Sequence, residues 1–155
     1  MIIQDLLGAL ARRLETGALA LDSHHLCCLN VNTLEMTLEF VEQQNCLFVY
    51  FNVGVVSTAQ NDRLLEDVLA ANLFHYGTSG AAAFGLDKET NELLLFQRFQ
   101  VASVDESDFV GACLEMIEVA TMWQKNFQHS SAESFTMTRM QAQQRLILNG
   151  SGKIR

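Results

Sequence analysis

The sequence predicts an α+β fold with the element order α-β-β-β-α-β-β-α, an antiparallel twisted sheet packed with helices and assembled as a dimer. Three observations carry this. Apolar residues recur at helical spacing in three stretches, while the segments between them alternate or run apolar over strand length. Residues 81–96 spell a hairpin, two apolar runs around a polar connection. The 155 residues, 49% hydrophobic and without proline, suffice to bury about 68–70% of the unfolded surface in one core. One domain spans residues 1–127, and a basic tail, 128–155, follows it.

Residues 2–15 place Ile3, Leu6, Leu7, Leu10 and Leu14 on one helical stripe, with Gly17 behind them as a stop. Strands follow near 26–32, 34–42 and 46–53. In the second, Leu34, Met36, Leu38 and Phe40 alternate with Glu35, Thr37, Glu39 and Val41, the pattern of a half-buried antiparallel strand. The third, Cys46 to Val53, is apolar on both faces, so each side of the sheet needs a cover. Ser57-Thr58-Ala59-Gln60 has the form of a capping box and opens a second helix running to about Phe74. Its apolar residues Leu64, Leu65, Val68, Leu69, Ala71 and Leu73 span roughly 200°, twice what one core contact requires. That helix therefore packs on its own sheet and on a second copy, through Leu65, Val68, Leu69 and Asn72.

Gly77 stands where a helix C-cap calls for a left-handed residue. After it, Ala81 to Leu86 and Leu93 to Phe96 are the hairpin strands, with Asn91 tolerating positive φ in the turn. Ser103-Val104-Asp105-Glu106 repeats the capping-box form and starts a third helix. Its stripe is Phe109, Cys113, Met116, Ile117, Ala120 and Trp123, ending near Phe127. In the tail, Met137, Met140, Ile147 and Leu148 form one face of a short helix ended by Asn149-Gly150, or else the segment is disordered.

The net charge of −8 is uneven: residues 1–127 hold 6 Lys/Arg against 17 Asp/Glu, a balance of −11, and residues 128–155 hold 4 against 1, a balance of +3. An acidic body repels nucleic acid and anionic membranes, which excludes both as partners. Cys27, Cys28, Cys46 and Cys113 lack the spacing of a disulfide framework and imply a reducing compartment. The N-terminus has Asp5 inside its apolar part and Arg12-Arg13 after it, the reverse of a signal peptide. No stretch nears the roughly 18 apolar residues needed to span a membrane. A cytoplasmic location follows.

No catalytic constellation is convincing. His24, His25, Cys27 and Cys28 carry metal-capable groups, but strand alternation sends two to each face, and a structural zinc site needs four. Gly77-Thr78-Ser79-Gly80-Ala81 approaches a nucleophile elbow, yet Ala81 replaces the last glycine and the segment leaves a helix rather than entering one. No phosphate-binding glycine motif is present. His75 reads as a helix-end group. Asp105, Glu106 and Asp108 read as carboxylates complementing a helix start, and Trp123 with Met116 and Met122 as core. No metal, no cofactor and no enzymatic activity are expected.

The string Asn72 to Leu95, NLFHYGTSGAAAFGLDKETNELLL, resembles the class I type III secretion chaperone family, the Tir-chaperone-like group. Its members carry an Asn-Leu-Phe helix end, a Gly-Ala strand, a Gly-Leu-Asp turn entry and a Leu-rich exit strand. The resemblance covers about residues 1–127; Asn91 stands where many members have glycine, and the tail departs from their short C-terminus. It implies a virulence-associated homodimer that binds the N-terminal segment of one or a few secreted effectors in extended form, with the secretion ATPase as a further partner. Apolar area for such a guest is expected on Ile3, Leu6, Leu7 and Leu10 of the first helix and on Leu47, Phe48, Val49, Tyr50 and Phe51 of the third strand, whose inward face the sequence leaves open. The alternatives are a regulatory binding module of the same fold and a small thiol or metal enzyme.

Overall fold

A computed structural model describes the backbone of residues 2–57 and 61–150 and side chains at 2–57 and 62–128. Helix α1 (Ile2–Leu14) precedes strands β1 (Leu26–Val31), β2 (Leu34–Val41) and β3 (Cys46–Val55). Helix α2 (Asn61–Asn72) follows, then β4 (Ala83–Asp87), β5 (Glu92–Gln100) and helix α3 (Glu106–Gly150). The five strands form one antiparallel sheet in the order β1-β2-β3-β5-β4. The predicted α+β order holds.

Helices α1 and α3 cover one face. Leu6, Leu7 and Leu10 are almost inaccessible, and they meet Leu34, Met36 and Leu38 of β2, Leu47, Val49 and Phe51 of β3, and Phe109, Cys113, Met116 and Ala120 of α3. A fully buried leucine contributes roughly 1.5–3 kcal/mol, so α1 is fixed by its apolar stripe. Phe99 and Phe109 meet edge to face at 5.0 Å where β5 gives way to α3. At the far end, β3 shifts register between Asn52 and Gly54, and the ring of Phe127 sits over Gly54 where a β-carbon would be 2.6 Å from it. Gln124 grips the β1–β2 turn: its amide donates to the Thr33 carbonyl and its side-chain oxygen accepts the Thr33 hydroxyl (2.8 Å). Asn32, at φ 56°, supplies the left-handed residue of that two-residue turn.

The helix ends differ from the sequence expectation. Chain reversal after α1 occurs at Glu15 (φ 53°) rather than Gly17, with the Thr16 N–H donating to the Ala11 carbonyl. After α2, the left-handed residues are Phe74 (φ 50°) and His75 (φ 58°), not Gly77. Gly77 is required for space, because its N–H donates to the Ala71 carbonyl at 2.9 Å and a β-carbon there would lie 2.5 Å from that of Ala71. Helix α3 is capped by Asp105, whose carboxylate accepts the Asp108 N–H at 2.8 Å, while the Ser103 hydroxyl turns back to the Gln100 carbonyl. The Ser57–Gln60 capping box extends outside the described residues. The largest difference is the length of α3, which continues as one helix to Gly150 where a break near Phe127 was expected.

Asn72 joins α2 to the sheet. Its amide donates to the Phe84 carbonyl (3.1 Å) and its oxygen accepts the Phe84 N–H (2.7 Å), as a neighbouring strand would. Asn72→Ala removes both bonds and leaves a half-buried backbone pair without them. A loss of about 1–3 kcal/mol is expected in urea denaturation, with α2 loosened from β4.

Candidate functional site: the open face of the sheet

Among the described residues, no helix lies over the sheet's second face. Alternation sends Leu47, Val49 and Phe51 into the core, so Phe48, Tyr50 and Asn52 point to the other side. The same rule turns Leu94 and Phe96 of β5 outward beside them and Leu93 and Leu95 inward. The result is a shallow depression of about 730 Å³ with half-buried Phe48, Tyr50, Leu94 and Phe96 on its floor. Glu35, Glu39, Asp87 and Glu92 line it, with no lysine or arginine among its lining residues. The neighbouring Arg98 side chain is bonded to Gln100.

The polar groups of this face are largely paired with one another. Tyr50 donates its hydroxyl to Glu39 at 3.3 Å, the Asn52 amide donates to Glu92 at 2.7 Å, and Thr90 donates to the other Glu92 oxygen at 3.0 Å. Burial pushes the Tyr50 phenol up to about 12, reinforced by the charge of Glu39 and the bond to it. Cys28 lies here within 3.7 Å of the Thr37 hydroxyl, the one exposed thiol of the four cysteines, all of which are free.

The residues expected to contact a guest are thus divided. Ile3, Leu6, Leu7 and Leu10 lie in the core, as do Leu47, Val49 and Phe51, because the apolar stripe of α1 is consumed by the core it shares with α3 and the sheet. Phe48 and Tyr50 remain accessible. In α2, Val68 is buried against the sheet edge and Asn72 is committed to Phe84, which takes both out of the surface expected to meet a second copy; Leu65 is half-buried. Leu69 is 69% exposed and continues into Leu73, Phe74 and Tyr76 at 56%, 76% and 81%. Phe74 and Tyr76 stack edge to face at 5.9 Å. Sequence reasoning missed Leu94 and Phe96, although the run Leu93-Leu94-Leu95-Phe96 is apolar on both faces in the same way as β3.

None of the candidate chemical centres is assembled. His25 is a left-handed turn residue packed edge-on to Phe40 at 6.2 Å, and among the described residues no three His, Cys, Asp or Glu side chains converge on a metal position. Hydrogen bonds from the backbone of Leu26 and His24 hold the Asp22 carboxyl below its usual range, as an exposed turn group. Ser79 has its hydroxyl buried without a hydrogen-bond partner, so no base activates it. His75 donates from Nδ1 to the Ala82 carbonyl at 2.7 Å, and Trp123 packs on Phe84 at 4.5 Å while donating to the Gly77 carbonyl. Burial alone raises Cys113 to about 12, an inert core thiol. Among the described residues no helix is long and apolar enough to cross a membrane.

A sheet with one helix-covered face and one open apolar face has the layout of a binding scaffold. The chain belongs to the Tir chaperone protein (CesT) family, whose model matches residues 5–124. No curated protein matches the sequence. Among solved structures it is similar to one in the HopA1–SchA chaperone–effector complex, at 19% identity and TM-score 0.66 over 80% of this chain and 94% of that one. It is also similar to one in the structure of the Yersinia pestis type III secretion chaperone SycH with a fragment of YscM2, at 17% identity and TM-score 0.60, covering 77% and 98%. A chain of the Pseudomonas aeruginosa ExoT–SpcS complex matches at 16% identity and TM-score 0.57, covering 78% and 96%. At these identities the likeness shows the fold, the α+β arrangement described above.

The phenol of Tyr50 provides a direct probe of this face. A Tyr76→Phe chain keeps Tyr50 as its single tyrosine, and its absorbance at 295 nm is expected to titrate with a midpoint near 12. Because the folded state holds the proton more tightly than an unfolded tyrosine, the associated stability is fully present below about pH 10 and is lost as pH rises towards 12.

Proposed function

We propose that this protein is a bacterial cytoplasmic chaperone of type III secretion, without enzymatic activity, that binds the N-terminal segment of a secreted effector in extended form and keeps it soluble and secretion-competent. The observation that carries the reading is the open apolar face on a rigid sheet in a member of the CesT family. Phe48 and Tyr50 are the guest contacts retained from the expected set. Ile3, Leu6, Leu7, Leu10, Leu47, Val49 and Phe51 support that face from behind. Such a surface accepts alternate side chains of an extended segment, and a free strand edge adds main-chain hydrogen bonds. Asn72 takes up the backbone of Phe84 near the start of β4 and Asp22 that of Leu26 at the start of β1, so the rest of β1, residues 27–31, is the longer edge offered to the guest. This role also implies the secretion ATPase as a partner.

Two of the neighbouring structures named above hold a chaperone with an effector or with a fragment of another protein, and the third is also a complex of two proteins, which supports a protein guest. The homodimer is assigned to the exposed end of α2, with Leu65 and Leu69 continued by Leu73, Phe74 and Tyr76. Four large apolar side chains clustered at one helix end form the kind of patch that marks a protein contact.

Two outcomes are expected. Co-purification from the native host, with mass spectrometry of the bound protein, should recover an effector on the unmutated chain and lose it with Phe48→Asp and Tyr50→Asp. Ser79→Ala and His25→Ala should retain it; the opposite pattern would replace the chaperone reading with the enzyme or metal-site one. In light scattering at micromolar concentration the unmutated chain should have a dimer mass, and Leu69→Glu or Phe74→Glu a monomer mass. A monomer before mutation would refute the dimer.

A further inference from the structure

We infer that the C-terminal arm of one copy, residues 128–155, lies across the open sheet face of a second copy. The face itself specifies the chemistry of its occupant. Its floor is apolar, and its rim carries four carboxylates against one cation on the same face, Arg98 opposite Phe48, whose side chain is bonded to Gln100. Two of those carboxylates, Asp87 and Glu92, are direct cross-strand partners, an arrangement that costs free energy unless positive charge is brought to it. The occupant is therefore apolar and basic. Within this chain only the arm has that composition: 4 Lys/Arg against 1 acidic residue, together with Met137, Met140, Ile147 and Leu148. The rest of the chain carries −11.

Geometry makes the contact intermolecular. Helix α3 packs on the covered face of its own sheet, passes Gly54 at Phe127, and continues unbroken to Gly150. Twenty-two residues beyond Gln128 extend roughly 33 Å at the helical rise per residue. A five-stranded sheet is roughly 20 Å across, so the arm is long enough to traverse one. An uninterrupted helix cannot double back round the edge of its own sheet, which leaves the open face of another copy. The arm also lies beyond the family match at 5–124, and the three similar structures, 94–98% covered themselves, leave about a fifth of this chain unmatched. It is an addition to the shared fold. The contact concerns the protein without its guest, so its failure would leave the effector reading standing.

The test uses full-length protein with the photoreactive residue p-benzoylphenylalanine at position 140, mixed from isotopically light and heavy preparations and irradiated without any guest. The expected result is a cross-link from position 140 to β3 or β5 peptides that pairs heavy with light copies. Its yield should fall about fivefold or more at raised salt, because the attraction is between surface charges. A Glu39→Lys/Glu92→Lys double variant, checked for folding by circular dichroism, should lose it to a similar extent. Cross-links confined to one copy, joining arm to arm, or reaching α2 or the helical face would overturn the inference, as would no cross-link or a yield insensitive to the two charge reversals.

Discussion

Residues 46–55 form the middle strand of the sheet, and their side chains are apolar in both directions. Leu47, Val49, Phe51 and Val53 go one way and Phe48 and Tyr50 the other. A central strand of this kind nucleates a two-sided core, yet α1 and α3 cover only one side. The open apolar face follows from that shortfall. The covered side is packed to completion, with Leu10, Leu38, Val49, Phe51, Phe109 and Met116 inaccessible. The other side is rigid because the covered side is, and it presents aromatic and aliphatic groups on a surface whose backbone is already hydrogen-bonded on both flanks. A partner binding there meets a prepared surface and has only its own order to lose.

Much of the fold was legible because side-chain periodicity reports which face of an element is buried. The stripe of α1, the alternation of β2, the two apolar runs of the hairpin and the stripe from Phe109 to Trp123 all became the elements they spelled. Periodicity is silent on which of two apolar faces is covered, so Phe48 and Tyr50 could not be separated from Leu47, Val49 and Phe51 until the helices were placed. The same limit hid Leu94 and Phe96. Helix ends were misjudged for a different reason: glycine marks permission for a left-handed turn, not a requirement, and local hydrogen bonding placed Glu15, Phe74 and His75 there instead. A helix ending at Asn149-Gly150 is one of the sequence's two readings of the tail, but its continuity with α3 was missed because a polar, mixed segment gives little periodic signal whether or not it is helical.

The junction after α2 shows how local strain and surface chemistry are linked. Two consecutive non-glycine residues, Phe74 and His75, hold left-handed backbone, each at a cost of order 1–3 kcal/mol. Opposing that cost are the His75 bond to Ala82, the Trp123 bond to Gly77 and the close approach of Gly77 to Ala71. The same twist turns the rings of Phe74 and Tyr76 outward together. An unstrained exit from the helix would have no reason to display both.

Asn72 gives the sheet a direction. Without it the sheet would have two receptive margins, β1 and β4, and molecules with two such margins can add to one another without end. By presenting an amide that imitates one residue of a neighbouring strand, Asn72 plugs the β4 margin at Phe84 from within. A strand added along β1 would then have a plugged margin at the far side of the sheet, and growth in that direction stops. The side chain that docks a helix thereby acts as a chain terminator, setting this sheet apart from one that would propagate as a fibre.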